Sequence, residues 1–286
     1  MFYILLSVCF SVTVSILLKL ARRYQIDVYQ AITWNYSMAI VLSLVFLKPQ
    51  LNNLDNVPII TYSILGLLLP ALFMILAIST RLSGIVRTDI AQRLSLFIPI
   101  VTAFLLFSEK MTTLKFLGLI LGFTAIVCTI PWQQKGTSRR RVSANAWIYL
   151  LAVFAGFGII DVLFKQIAAF KAISYGTSLF IVFLLAFIFS LAGLFYQVIT
   201  KKMKFSWPHI FIGWVLGIAN FGNILFYLKA HQALSNQPST VFSAMNIGVI
   251  VVGASIGLII FKEKLSLLNK AGIVIAIIAI VVIARS

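Results

Sequence analysis

The sequence predicts an all-α integral membrane protein of ten transmembrane helices, arranged as two inverted five-helix repeats. Three observations carry that prediction. Charged residues make up 10% of the 286-residue chain and hydrophobic residues 62%, whereas a soluble domain carries about 25% charged residues. Apolar runs of membrane-crossing length recur from one end of the chain to the other. A segment of the first half returns in the second half at a fixed offset and without a gap. A mean hydropathy of +1.08 leaves too little polar surface to face water. The apolar area available for burial also argues against disorder. A bilayer is the solvent that fits.

A helix needs about 20 mostly apolar residues to cross a bilayer. Nine runs meet that need: 2–18, 30–47, 58–79, 113–131, 146–164, 173–199, 209–228, 238–261 and 265–284. The first opens at Met1-Phe2-Tyr3 with no basic stretch before it, and Lys19, Arg22 and Arg23 follow it. It reads as a retained helix, because a cleaved signal has the opposite order. The fourth span is shorter. Its clean apolar run, Leu94 to Phe107, has 14 residues, which cover about 21 Å of a hydrocarbon core of about 30 Å. The helix is therefore expected to begin near Thr88, which draws Asp89, Gln92 and Arg93 into the membrane. Cys9 and Cys128 lie inside apolar runs, with neither metal-ligand nor disulfide spacing.

The repeat is read from the turn after the fourth span. Phe107, Glu109, Lys110, Leu114, Gly118, Ala125, Ile126 and Val127 match Phe261, Glu263, Lys264, Leu268, Gly272, Ala279, Ile280 and Val281 at an offset of 154. A fainter match at offset 146 aligns Tyr3, Leu5, Leu17 and Lys19 with Tyr149, Leu151, Leu163 and Lys165. Residues 1–131 then form the first repeat, 132–144 a basic linker holding Lys135 and Arg139 to Arg141, and 145–286 the second repeat. An odd number of spans per half makes the second half enter the membrane from the opposite side. Transporters built this way hold their substrate near the midplane, between the repeats.

The chain resembles the drug/metabolite transporter superfamily, in its ten-helix EamA-type branch. The duplicated Glu-Lys turn, Gly118 and Gly272 in the fifth and tenth spans, Pro99 in the fourth, and the Lys19/Lys165 pair carry the resemblance, which extends over essentially the whole chain. It departs at Gly253, which stands where Pro99 has its counterpart. The resemblance implies export or import of amino acids, nucleobase-like metabolites, sugars or drugs, and names no one substrate.

A net charge of +17 first suggests nucleic acid. The basic residues, however, lie in short segments between apolar runs, which is membrane topology and not a phosphate-binding face. Sixteen Lys and Arg fall on the side of the linker and seven on the side of the termini. The positive-inside rule then puts both termini outside, whereas the resemblance implies both inside. The expected location is the inner cell membrane, as a monomer or homodimer, with no nucleic-acid partner.

Ionisable groups at membrane depth are costly and count as candidate functional groups. Asp89 and Arg93 share a face of the fourth span with Gln92 beside them, either lining a cavity or snorkelling as an ion pair to the interface. Asp161 and Lys165 form a second pair four residues apart on the sixth span. An interfacial ion pair is the first reading there, and a gate or proton-coupling carboxylate the second. Asn220, Asn223 and Tyr227 on the eighth span and Ser243 and Asn246 on the ninth share inward faces, suited to a wet cavity or to interhelical hydrogen bonds. Trp34 and Asn35 on the second span are weaker candidates of the same kind. Gly213, Gly217, Gly253 and Gly257 read as packing residues, and Gly118-x-x-x-Gly122 as a bundle contact before a dimer contact. Pro99, beside the Asp89–Arg93 face, would suit a hinge. Glu109 and Glu263, in duplicated turns, read as structural.

The function expected from these residues is secondary transport of a small metabolite or amino-acid-like solute by alternating access, export before import. The cavity would be lined by spans two, four, six, eight and nine, with Arg93 attracting an anionic or zwitterionic group. A flippase of a lipid-linked small molecule is the alternative reading. An intramembrane enzyme would need a motif such as H-E-x-x-H or G-x-S-x-G, and the sequence holds neither; His209 and His231 lie near loop ends. No P-loop is present, and no cofactor or metal is expected.

Overall fold

The computed structural model describes residues 1–24, 26–50, 57–83, 85–129, 146–170, 172–200, 203–259 and 266–285. The linker 132–144 and the second Glu-Lys turn, Glu263 and Lys264, lie outside them. Helix is the only regular structure among the described residues. The first half holds α1 (Phe2–Arg23), α2 (Val28–Leu47), α3 (Ile59–Leu82), α4 (Ile85–Leu94), α5 (Phe97–Leu105) and α6 (Thr113–Thr129). The second holds α7 (Ala146–Ala169), α8 (Tyr175–Ile199), α9 (Pro208–Ala233), α10 (Pro238–Ile259) and α11 (Leu267–Ala284).

Five of these helices are long and apolar enough to cross a membrane: Val28–Leu47, Ile59–Thr80, Trp147–Ala169, Tyr175–Ile199 and Pro208–Ala233. Five shorter apolar stretches, Phe2–Leu18, Ala91–Leu105, Thr113–Cys128, Pro238–Gly253 and Lys270–Ile283, fall in the remaining predicted spans. The outside of the bundle is apolar: Phe46, Ile60, Leu105 and Ile199 are each exposed. In water such a surface would drive association, and against lipid it costs nothing. Helix starts follow local chemistry. The Asp27 carboxylate accepts from the Gln30 N–H at 3.0 Å to open α2, and the Ser174 hydroxyl accepts from the Thr177 N–H at 3.2 Å to open α8.

The fourth span departs from expectation. A single helix from Thr88 to Phe107 was predicted; the chain instead forms α4 and α5 with a break at Ser95–Leu96. Pro99 explains its position. Proline has no N–H to give the carbonyl four residues before it, and its ring crowds that carbonyl, which belongs to Ser95. The backbone answers with tighter turns: Leu96 N–H bonds the Arg93 carbonyl at 3.3 Å and Ile98 N–H the Ser95 carbonyl at 3.0 Å. The counterpart Gly253 lies inside α10, which is uninterrupted. Pro99→Ala is therefore expected to join α4 and α5. Because Pro99 already sits in the first turn of α5, where a missing N–H costs little, the unfolding midpoint in detergent should rise only as far as the rejoined backbone bonds allow. A variant structure still broken at Ser95 would assign the break to the surrounding packing.

Packing follows a pattern of exchange between the halves. α1 packs on α9 and α7 on α3; α2 packs on α9 and α8 on α3; α1 packs on α10 and α7 on α4 and α5. α2 also meets α8, and α6 meets α11. Small residues set the closest crossings. A Cβ at Gly217 would stand 2.6 Å from the Asn35 carbonyl oxygen, and one at Gly213 2.7 Å from the Ala31 carbonyl oxygen. Gly118 faces Ile283 of α11 and Gly122 faces Ile247 of α10, so the GxxxG is a contact inside the bundle. One continuous apolar core runs from Ile4 to Ile283 and includes Tyr36, Tyr62, Phe183 and Phe242.

Between α5 and α6 lies a buried ion pair. The Glu109 carboxylate meets Lys115 Nζ at 2.6 Å. It also accepts from the Ser239 N–H at 2.8 Å and the Ser239 hydroxyl at 2.7 Å. A turn of the first half is thereby fastened to the N-terminus of α10, where backbone N–H groups favour an anion.

Candidate functional site

Residues of six helices line a partly open cavity of about 180 Å³. α1 contributes Ser11; α3 contributes Leu69, Leu72 and Phe73; the α4–α5 break contributes Gln92 and Ser95. α7 contributes Phe157, Ile160, Asp161 and Phe164. α9 contributes Asn220, Asn223, Ile224 and Tyr227, and α10 contributes Met245, Asn246 and Val249.

The walls differ in chemistry. α3 supplies apolar groups alone, and the phenyl rings of α7 extend that surface. α9 and α10 face it with amides and a phenol. Tyr227 donates its hydroxyl to Asp161 Oδ1 at 2.8 Å. Asn223 Oδ1 accepts from the Ser7 hydroxyl at 2.9 Å. Asn246 donates its amide N–H to the Phe242 carbonyl at 3.0 Å. The amide nitrogen of Asn220 is buried with no hydrogen-bond partner among the described residues. Buried polar atoms are satisfied as a rule, and Asn220 carries this exception on a residue that lines the cavity. Asp161 is the one ionisable carboxyl among the described lining residues.

Six residues expected at a binding or coupling site meet here: Gln92, Asp161, Asn220, Asn223, Tyr227 and Asn246. Others do not. Arg93 sits beside Gln92 on α4 and does not line the cavity, because successive helix positions diverge by about 100°; its expected role in attracting an anion has no support in the cavity wall. The side chain of Asp89 lies outside the described residues. Trp34 and Asn35 also stay out. The close approach of Gly213 and Gly217 seals the Asn35 backbone against α9. Trp34 joins Phe187 and Phe205, at ring separations of 6.2 and 6.5 Å. The second span thus contributes nothing to the lining, and α1 and α3 stand in its place. Ser243 is fully buried and away from the cavity wall. Pro99 is buried in α5, acting one turn upstream through the helix break.

Asp161 and Lys165 do not form the interfacial pair first read from their spacing. Asp161 turns to Tyr227, while Lys165 donates to the Ser235 carbonyl at 2.9 Å and lies 5.7 Å from the centre of the Phe107 ring. His231, expected near a loop end, is fully buried in the last turns of α9, with its ring 4.7 Å from Tyr227 and 4.7 Å from Phe242. The apolar wall was not foreseen. Leu69, Leu72 and Phe73 read in the sequence as ordinary core residues, and nothing in their spacing separates a cavity wall from a packed one.

No protein-family model matches the chain. An uncharacterized protein of Haemophilus influenzae is 42% identical over 277 residues, covering 94% of this chain and 93% of the relative. The chain belongs to that protein's family. A protein of known crystal structure superposes with a TM-score of 0.70 over 98% of this chain and 95% of its own. At 11% identity the likeness is one of fold alone.

Proposed function

We propose that the protein is a secondary transporter that moves a small solute across the inner cell membrane by alternating access between two inverted repeats of five spans. The observation that carries this reading is the cavity, lined by both halves and furnished with polar groups that include a carboxylate, Asp161, at a depth where ionisable groups are costly. Gln92 and Asn246, which both line it, stand at the same offset of 154 as the duplicated Glu-Lys turn. Ser11 and Phe157, also on the wall, stand at the offset of 146 that aligns the starts of the halves. The exchange of packing partners between halves supports the same two-fold relation. So does the resemblance of the sequence to EamA-type drug/metabolite transporters.

In this cycle the halves rock about the cavity and expose it to one side at a time. Asp161 is the group assigned to carry a coupling proton, because it lies on the wall in contact with the solute space. The break at Ser95–Leu96 interrupts the helix on the wall, beside Gln92, a position suited to a hinge. Reconstitution into liposomes tests the reading. Saturable solute uptake driven by an imposed pH gradient, absent from protein-free liposomes, is the expected result. Purified protein that moves no solute of any class under any ion gradient would remove the transport assignment.

A further inference from the structure

We infer that the cavity selects a small monoamine, a protonated amine on an apolar body carrying a neutral hydrogen-bond acceptor and no carboxylate. The inference rests on the reading of this cavity as the solute site of a transporter, and it replaces the anionic or zwitterionic solute expected from Arg93.

The argument begins with charge. Asp161 Oδ1 is taken by Tyr227, and its other oxygen has no partner among the described residues. An ammonium group supplies up to three donors, and a charge-assisted bond to a carboxylate is roughly twice as strong as a neutral one. No Lys, Arg or His is among the described residues lining the cavity. At the α4–α5 break Leu96 and Ile98 spend their N–H groups on the Arg93 and Ser95 carbonyls, and Phe97 is not among the residues lining the cavity. A ligand carboxylate would therefore enter beside Asp161 with no opposite charge among the described lining residues to meet it, and burying an unpaired charge is strongly unfavourable.

The remaining polar groups define the rest of the ligand. Asn246 spends one of its two N–H groups on Phe242, which leaves its carbonyl oxygen to accept from the solute and its second N–H to donate. Asn223 spends its oxygen on Ser7, and the NH₂ of Asn220 is buried without a partner among the described residues. Asn223 thus keeps its NH₂ for a carbonyl, amide or hydroxyl oxygen, and a small rotation of the Asn220 side chain would add a second donor one turn along α9. Opposite them stand Leu69, Leu72 and Phe73, which bond to nothing polar and fit an aliphatic or aromatic body. A cavity of about 180 Å³ holds on the order of a dozen waters, which sets the scale at a compact metabolite.

Binding to the purified full chain in detergent tests the assignment, with phenethylamine, phenylalaninamide, phenylalanine and 3-phenylpropionate as probes in isothermal titration. Phenylalaninamide should bind tightest, phenethylamine next, and phenylalanine at least tenfold more weakly than phenylalaninamide; 3-phenylpropionate should not bind. Asp161→Asn should weaken phenylalaninamide at least tenfold, Asp161→Glu should restore part of the loss, and Asn220→Ala should erase the advantage of phenylalaninamide over phenethylamine. Unchanged elution and unfolding midpoint identify variants that have kept their fold, and Tyr227→Phe, expected to weaken both amines several-fold, reports on the same carboxylate without altering its charge. Phenylalanine or 3-phenylpropionate binding as tightly as the amines, indifference of amine binding to Asp161→Asn, or no saturable binding of any amine would each overturn the assignment. Flux in liposomes separates the two readings: transport of another solute class without amine binding defeats the ligand and keeps the transporter, and tight amine binding without flux does the reverse.

Discussion

Glu109→Ala is expected to lower the stability of the folded chain by about 3–5 kcal/mol, the usual cost of removing one partner from a buried ion pair. The carboxylate is bonded three ways, to Lys115 Nζ and to the backbone and hydroxyl of Ser239. Its loss leaves Lys115, 3% exposed, as a buried charge without its partner, and frees a backbone donor at the start of α10. The contact joins a turn of the first half to a helix of the second, so the damage should spread beyond the turn. Thermal unfolding in detergent measures it. A double variant, Glu109→Leu with Lys115→Met, should recover much of the loss, since replacing both charges by apolar groups of similar size is often neutral. Equal stability of Glu109→Ala and the unaltered chain would show that the pair does not hold the halves together.

The second large effect concerns Asp161. Asp161→Asn is expected to reduce gradient-driven flux at least tenfold while leaving the fold intact, because asparagine keeps the shape and can still accept from Tyr227. What it cannot do is take up and release a proton, or pair its charge with the ammonium of the inferred solute. An imposed pH gradient should therefore accelerate uptake by the unaltered protein and leave the variant at its slow, gradient-independent rate. Counterflow of solute at equal pH, which needs binding but no coupling, separates the coupling role from a change in affinity. A variant driven by the gradient at the original rate would exclude Asp161 as the coupling group.

How far the site could be read in advance depended on the kind of residue. Asp161, Asn220, Asn223 and Asn246 stand out in the sequence because polar groups among apolar ones carry a cost that packing alone does not explain. Arg93, and less strongly Asn35, stand out by the same rule, yet neither lines the cavity. Arg93 lost its place to a rotation of one position along α4. Asn35 lost its own to the glycines of α9, which bring two backbones within touching distance. Both outcomes turn on which face a helix shows its neighbours, and polarity does not report that. The α4–α5 break illustrates the same division: Pro99 announces a disturbance, and the tertiary structure decides that the chain yields there while α3 continues through Pro70.

The sequence alone determined the helical class, the apolar spans and the internal offsets. Those follow from composition and from periodicity along one chain, and a bilayer forces every span to satisfy its own backbone. The tertiary structure alone decided that α3 forms the apolar wall and α9 the polar one, and that Asp161 turns to Tyr227 instead of to Lys165. Those are relations between side chains far apart in the sequence. They are fixed by how closely the helices approach and how each is rotated about its axis, and that depends on all the packed surfaces together.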